Sequence, residues 1–170
     1  MRKKVRVSLP KLIHEVIYMD IQYFKLRKET LYNLIIQGLG FEKLLEIGRD
    51  LLDERKTISF NLNDINTELF QEMMKFQKME KEIIFLNKIF MTYANLHPSI
   101  RERTINRDLF MRIEQAVKEN KNIKIYYRKK LLDGIPIELE RDRENGYNYL
   151  KVKVENQQYL YEMKEIEFVT

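Results

Sequence analysis

The chain has no cysteine and no tryptophan, and only five glycines, three prolines and two histidines in 170 residues. Without cysteine there is no disulfide framework, no thiol nucleophile and no thiolate zinc site. The two histidines, His14 and His97, stand too far apart in sequence for metal-ligand spacing, and His14 is expected on a helix surface. No glycine-rich phosphate loop occurs. Carboxylates are scattered and mostly alternate with lysines, the pattern of a solvated face. No catalytic constellation emerges and no cofactor is implied, so the chain reads as a non-enzyme. No apolar run reaches the length of a membrane span, and the basic start is followed by an alternating segment instead of a signal-peptide core. The expectation is a cytoplasmic protein with no membrane partner. Few glycines and prolines point to regular elements joined by short connections.

The residues that are present are 44% hydrophobic and 34% charged, with a net charge of +5 and a pI near 9.2. That is a globular composition, modestly basic, which permits an anionic partner without requiring one. At the start, Val5, Val7 and Leu9 alternate with Lys4, Arg6 and Ser8, a strand with one apolar and one basic face. Leu12, Ile13, Val16, Ile17 and Ile21 then fall at helical spacing, with Pro10 at the helix start. After a break around residues 23–27, Leu31, Leu34, Ile35, Gly38 and Leu39 mark a second helix, and the helical stripe continues to Leu52. Residues 50–56 read as a polar connector.

The pattern then recurs. Ile58, Phe60 and Leu62 alternate with Thr57, Ser59 and Asn61; Asn63 or Asp64 can cap a helix carrying Ile65, Leu69, Phe70, Met73 and Met74. A further helix bears Ile83, Ile84, Phe85, Leu86, Ile89, Phe90 and Tyr93, and should stop before His97-Pro98. A shift of 53 positions places Val5, Val7 and Leu9 on Ile58, Phe60 and Leu62, and Ile17 on Phe70, but sets Leu34 against Asn87 and Ile35 against Lys88. Such a repeat puts two halves of a strand-helix-helix pair in one chain. If its strands pair, Lys4, Arg6 and Ser8 lie against Thr57, Ser59 and Asn61, with the first strand supplying the charge.

Residues 98–108 read as a polar, basic connector, and Leu109, Phe110, Ile113, Ala116 and Val117 as a short helix. Alternating segments follow at 123–128, 135–140, 147–154 and 159–169. Asp133-Gly134 and Asn145-Gly146 are hairpin signals, and residues 155–158 a further turn. One helix followed by four or five short strands suggests a small β-barrel.

The opening strand and two helices, seen twice, resemble the ribbon-helix-helix family of DNA-binding regulators. The implied fold class is α+β, a tandem ribbon-helix-helix region over residues 1–97 (repeats at about 3–52 and 56–97), a linker over 98–108 and a barrel over 109–170. In that family the ribbon's polar face enters the DNA major groove. Here Lys4 and Arg6 can donate to guanine, Asn61 can pair with adenine, and Ser8, Thr57 and Ser59 can reach either. Lys3, Lys11, Lys25, Arg27 and Lys28 are candidate phosphate contacts, the last three near the start of the second helix. The C-terminal segment, through Ile123 to Tyr127, Asn148-Tyr149-Leu150 and Tyr161 to Ile166, resembles the WYL family, which implies an SH3- or Sm-like barrel that senses nucleic acid or nucleotide-type ligands. The chain departs from that pattern where Asn148 replaces tryptophan and where Gln158 and Glu162 stand at positions often held by arginine. Tyr126, Arg128, Lys129, Lys130, Tyr149, Lys151 and Lys153 interleave aromatic and basic groups and are candidates for ligand or single-strand binding. Two functions follow from these resemblances. One is a transcriptional regulator on duplex DNA. The other is a single-stranded-RNA-binding accessory of a CRISPR RNA-targeting nuclease. An interaction module without nucleic acid is a third reading, and homodimerisation is left open.

Overall fold

The structure, a computed structural model, describes residues 1–45 and 54–170. The chain divides into two compact units, Met1–Leu96 and His97–Thr170. It is an α+β protein, with six α-helices, a two-stranded ribbon and a five-stranded antiparallel sheet among the described residues.

The first unit contains β1 (Lys4–Pro10), α1 (Lys11–Phe24), α2 (Lys28–Leu39), β2 (Arg55–Asn61), α3 (Asp64–Phe76) and α4 (Glu82–Asn95). β1 and β2 pair antiparallel within the chain, with Lys4 opposite Asn61, Val5 opposite Phe60, Arg6 opposite Ser59, Val7 opposite Ile58 and Ser8 opposite Thr57. Strand alternation divides the ribbon cleanly. Val5, Val7, Leu9, Ile58 and Phe60 are buried on the helices, while Lys4, Arg6, Thr57, Ser59 and Asn61 are exposed. The pairing exchanges equivalent residues of the repeat: Val5 matches Ile58 and Val7 matches Phe60, yet Val5 faces Phe60 and Val7 faces Ile58. A pseudo-two-fold axis therefore passes between Arg6 and Ser59. Phe60 packs on Tyr32 and Phe90, with ring centroids 4.9 and 6.1 Å away.

The helices correct the repeat alignment. Lys25 and Lys78, 53 positions apart, both take the left-handed conformation that ends the first helix of each half. Two residues then lead to α2 but three lead to α4. With that one-residue insertion, Leu31, Tyr32, Ile35, Ile36 and Leu39 match Phe85, Leu86, Ile89, Phe90 and Tyr93, and all ten are buried. Leu12, Ile65, Ile83 and Ile84, expected on apolar stripes, are instead exposed.

The helix expected to run to Leu52 ends at Leu39, and residues 41–45 are not helical; the stretch 46–52 of that expectation lies outside the described residues. Gly40 sits where a Cβ would come within 2.5 Å of Met73 Sδ. Gln77 Nε2 donates to the Gly40 and Glu42 carbonyls, and Phe41 packs edge-on against Phe76, which holds the chain in its turn. The connector expected up to residue 56 also gives way earlier, since β2 begins at Arg55.

Asn33 is the polar knot of this unit. Its amide donates to the Glu29 and Asn61 carbonyls, and its Oδ1 accepts from Asn63 N at 2.7 Å and Asn66 Nδ2 at 3.0 Å. It thus ties α2 to the end of β2 and to the capped start of α3, where Asn63 accepts from Asn66 N.

The second unit opens with α5 (Pro98–Ile105), where a connector was expected. His97 caps it, with Nδ1 accepting from Ser99 N, and Pro98 occupies a first-turn position that needs no amide. α6 (Arg107–Glu119) follows, then β3 (Ile123–Tyr127), β4 (Lys130–Arg141), β5 (Asn148–Val154), β6 (Gln157–Glu162), a single 3₁₀ turn (Met163–Glu165) and β7 (Ile166–Val169). The sheet order is β6-β5-β4-β3-β7. Leu109, Phe110, Ile113 and Ala116 of α6 pack on Ile123, Ile125, Leu150, Val152, Ile166 and Val169.

Asp133-Gly134 is not a turn; both residues lie inside β4. Gly134 is there because β5 comes close: a Cβ would meet Val152 Cγ1 at 2.4 Å. The β3–β4 turn is Arg128-Lys129, with φ of 47° and 66°. Both positions favour Asn-Gly, and left-handed geometry costs other residues about 1 kcal/mol or more each. The exposed Arg128 offsets a fraction of this through its contact with the Tyr127 ring at 5.1 Å. The double change Arg128→Asn, Lys129→Gly is therefore expected to stabilise the protein by about 1 kcal/mol, seen as a raised urea midpoint at unchanged m-value.

Candidate nucleic-acid interface

Strand alternation and the intrachain register bring the candidate ribbon residues onto one surface. Lys4, Arg6, Ser8, Thr57, Ser59 and Asn61 all lie on the face away from the helices. Lys4 and Arg6 form no ion pair among the described residues. Arg55 completes the face and was missed in the sequence because it lies in a charged stretch read as connector. It sits two residues before Thr57, so its side chain shares that side. Its guanidinium donates to Ser8 Oγ at 3.2 Å, to the Ser8 carbonyl at 2.7 Å and to Asn87 Oδ1 at 3.3 Å. The second strand is therefore not neutral, and the face carries a cation near each end and one at its centre. Alternation gave no signal for it, because Lys56, at the inward parity of Ile58 and Phe60, is itself charged and exposed.

The flanking lysines divide into two groups. Lys3 is paired with Glu82 at 2.8 Å and Lys11 with Glu54 at 3.8 Å, so two expected phosphate contacts already have acidic neighbours. Arg27 and Lys28 are exposed and form no ion pair among the described residues. They line a cleft of about 470 Å³ together with His14, Glu29, Tyr32 and residues 57–60 of β2. His14 is thus half-buried in a cleft and not on an open helix surface. Burial, then the charges of Lys28 and Lys56, hold its imidazole below the ordinary value, against a smaller opposing pull from Glu15. Glu29 is turned to the backbone, its Oε2 accepting from Asn61 N at 3.1 Å.

In the second unit, alternation along β5 sets Tyr149, Lys151 and Lys153 on the side opposite the buried Leu150 and Val152. Lys151 lies between Glu140, at 2.6 Å, and Glu138, at 3.3 Å. Hydrogen bonding to Glu140 and then Glu138 raises its pKa, and the same bond to Lys151 lowers that of Glu140. Tyr149 is opposite Glu140 on one side and Glu162 on the other. Burial, then the Glu162 and Asp142 charges, push its phenol up. Asp142 is held low by the backbone amides of Asn145 and Glu144. Arg128 lies 3.6 Å from Glu162. Tyr126 stacks on Phe168 at 5.1 Å. Lys129, in the β3–β4 turn, Lys130, at the start of β4, and Lys153, on β5, are exposed. Asn148, which stands where the WYL pattern has tryptophan, is buried and locked to α5: its N and Nδ2 donate to Glu102 Oε1, both at 2.8 Å, and Nδ2 also to the Ser99 carbonyl.

Among the described residues, no cluster of His, Asp and Glu has the form of a metal site, and no helix is long and apolar enough to cross a membrane. Neither a protein-family model nor a curated protein matches the sequence. Among solved structures the chain is similar, over its full length, to the crystal structure of a CRISPR Cas-related protein, with 14% identity and a TM-score of 0.72. It spans 63% of that protein's length. At this identity the likeness concerns the fold.

Proposed function

We propose that the chain is a nucleic-acid-binding regulatory protein: a tandem ribbon-helix-helix unit whose ribbon enters the major groove, followed by a WYL-like SH3- or Sm-type barrel that senses a ligand or mediates assembly. The observation that carries this reading is the ribbon's outer face, where Lys4, Arg6 and Arg55 stand beside Ser8, Thr57, Ser59 and Asn61 on one antiparallel pair. Two-stranded ribbons fit the major groove, and this face holds both donors and acceptors. The pseudo-two-fold register and the twofold strand-helix-helix order support the tandem assignment. A helix ahead of five strands in the order β6-β5-β4-β3-β7, with a 3₁₀ turn before the last, supports the barrel assignment.

A second reading is favoured by the full-length likeness to a CRISPR Cas-related protein. The chain would then be an accessory of an RNA-targeting nuclease and bind single-stranded RNA. The two readings separate in a titration of the whole chain with random-sequence duplex DNA and with single-stranded RNA at several salt concentrations. Duplex binding with a steep salt dependence is expected for the first. RNA binding that exceeds duplex binding, and falls when Lys129 and Lys130 are both changed to alanine, supports the second. Binding to neither would overturn both.

A further inference from the structure

The two flanks of the ribbon are related by the pseudo-two-fold axis, yet their charges differ. On the α4 flank, Lys3 Nζ is 2.8 Å from Glu82 Oε1, and Lys3 N donates to Thr67 Oγ1. On the α2 flank the corresponding residues are Lys56, Lys28 and His14. A neutralised lysine–glutamate pair over a hydroxyl is thus replaced by two lysines over an imidazole, with Arg27 beside them. The groups facing His14 are Glu15 from α1, Arg27, Lys28 and Glu29 from α2, and Lys56 from β2. Of the two carboxylates, Glu29 is engaged by Asn61 N. Like charges gathered beside a cleft repel one another unless an anion joins them. The cleft's volume, about 470 Å³, lies within the range of small-ligand sites, and residues 57–60 of β2 form one of its walls.

We propose that the cleft between α1, α2 and β2 is a phosphate-binding site, present on this flank of the ribbon and absent from the other. The phosphate belongs either to a nucleic-acid backbone or to a free nucleotide. In the first case, which rests on the proposed nucleic-acid-binding function, a single anchored phosphate beside Arg27 and Lys28 gives the ribbon one polarity on its target. A bound phosphate also reverses the local field at His14. The imidazole, held low in the free protein by Lys28 and Lys56, takes up a proton as the anion binds. For a phosphodiester, whose charge is constant in this range, affinity therefore rises as pH falls through the imidazole titration.

The test is an NMR titration of the His14 imidazole in the whole chain, alone and with inorganic phosphate, adenosine monophosphate, duplex DNA or single-stranded RNA. The His14 pKa is expected to rise by about one unit with the phosphate that belongs there. Lys28→Glu, which recreates the charge of Glu82, should abolish the shift and weaken binding about tenfold. His14→Gln should hold oligonucleotide affinity near the value the unchanged chain shows above the imidazole titration and remove the rise at lower pH. If an oligonucleotide binds while neither it nor inorganic phosphate nor adenosine monophosphate moves His14, the cleft assignment is overturned and the ribbon function stands. If adenosine monophosphate moves His14 while no oligonucleotide binds, the site stands as a free-nucleotide site and the ribbon function fails.

Discussion

Replacing Asn33 by leucine is expected to remove about 3 kcal/mol from the stability of the first unit. Leucine keeps the number and branching of side-chain heavy atoms, so the substitution opens no cavity. Asn33 is 4% exposed and its amide makes four hydrogen bonds, to Glu29 O, Asn61 O, Asn63 N and Asn66 Nδ2. Leucine strands the Asn61 carbonyl and the Asn63 amide, each costing about 1–3 kcal/mol where water is kept out. The repeat supplies an internal control. Asn87 occupies the matching place in α4, but it is half-exposed, donates to Ile83 O and accepts from Arg55. Asn87→Leu should cost less than about 1 kcal/mol, because water can replace what is lost. Chemical denaturation of both variants checks the contrast. Equal losses would mean that the polar tie between α2 and the end of β2 does not hold the ribbon in register.

Much of this unit was legible because period-two alternation and helical spacing are carried by apolar residues. Val5, Val7 and Leu9, and then Ile58 and Phe60, gave both strands and, through the repeat, their pairing. The second helix of the repeat drifted out of alignment because one extra residue follows Lys78, and an insertion in a turn leaves no periodic trace. α5 was read as a connector since its buried face is polar: Ser99, Arg101, Glu102 and Thr104 are all enclosed. Its signal lay in His97-Pro98, which was read only as the end of α4. Asp133-Gly134 misled because glycine serves there to admit β5, while the real turn uses two charged residues in an unfavourable conformation. The candidates in the second unit follow from residue type along single strands. Whether Lys151 is available depends on its cross-strand neighbours, and those depend on a register shift between Pro136 and Glu138 that no local pattern reveals.

The second large effect is expected at the ribbon. Lys4→Ala together with Arg6→Ala should weaken duplex DNA binding about 100-fold. Arg6 lies at the pseudo-two-fold axis opposite Ser59, the place where a single side chain meets the centre of the contacted site. A bidentate contact to a base is worth about 1–3 kcal/mol of discrimination. Lys4, near the ribbon's end, fits a phosphate contact, and its loss should reduce the dependence of log K on log salt by about one. Both residues are exposed and unpaired among the described residues, so folding should be unaffected. Arg55→Ala should weaken binding less, because its guanidinium is already committed to Ser8 and Asn87. An unchanged affinity in the double variant would remove the ribbon from the binding surface.

The most direct measurement maps the contact itself. Backbone amide shifts of the whole chain, followed on addition of duplex DNA and separately of single-stranded RNA, report which surface meets the nucleic acid. The ribbon account predicts the largest changes at residues 4–8 and 55–61, accompanied by residues 27–29 and not by residues 128–130, 151 or 153. Changes confined to the second unit, with the ribbon unmoved by either nucleic acid, would contradict it.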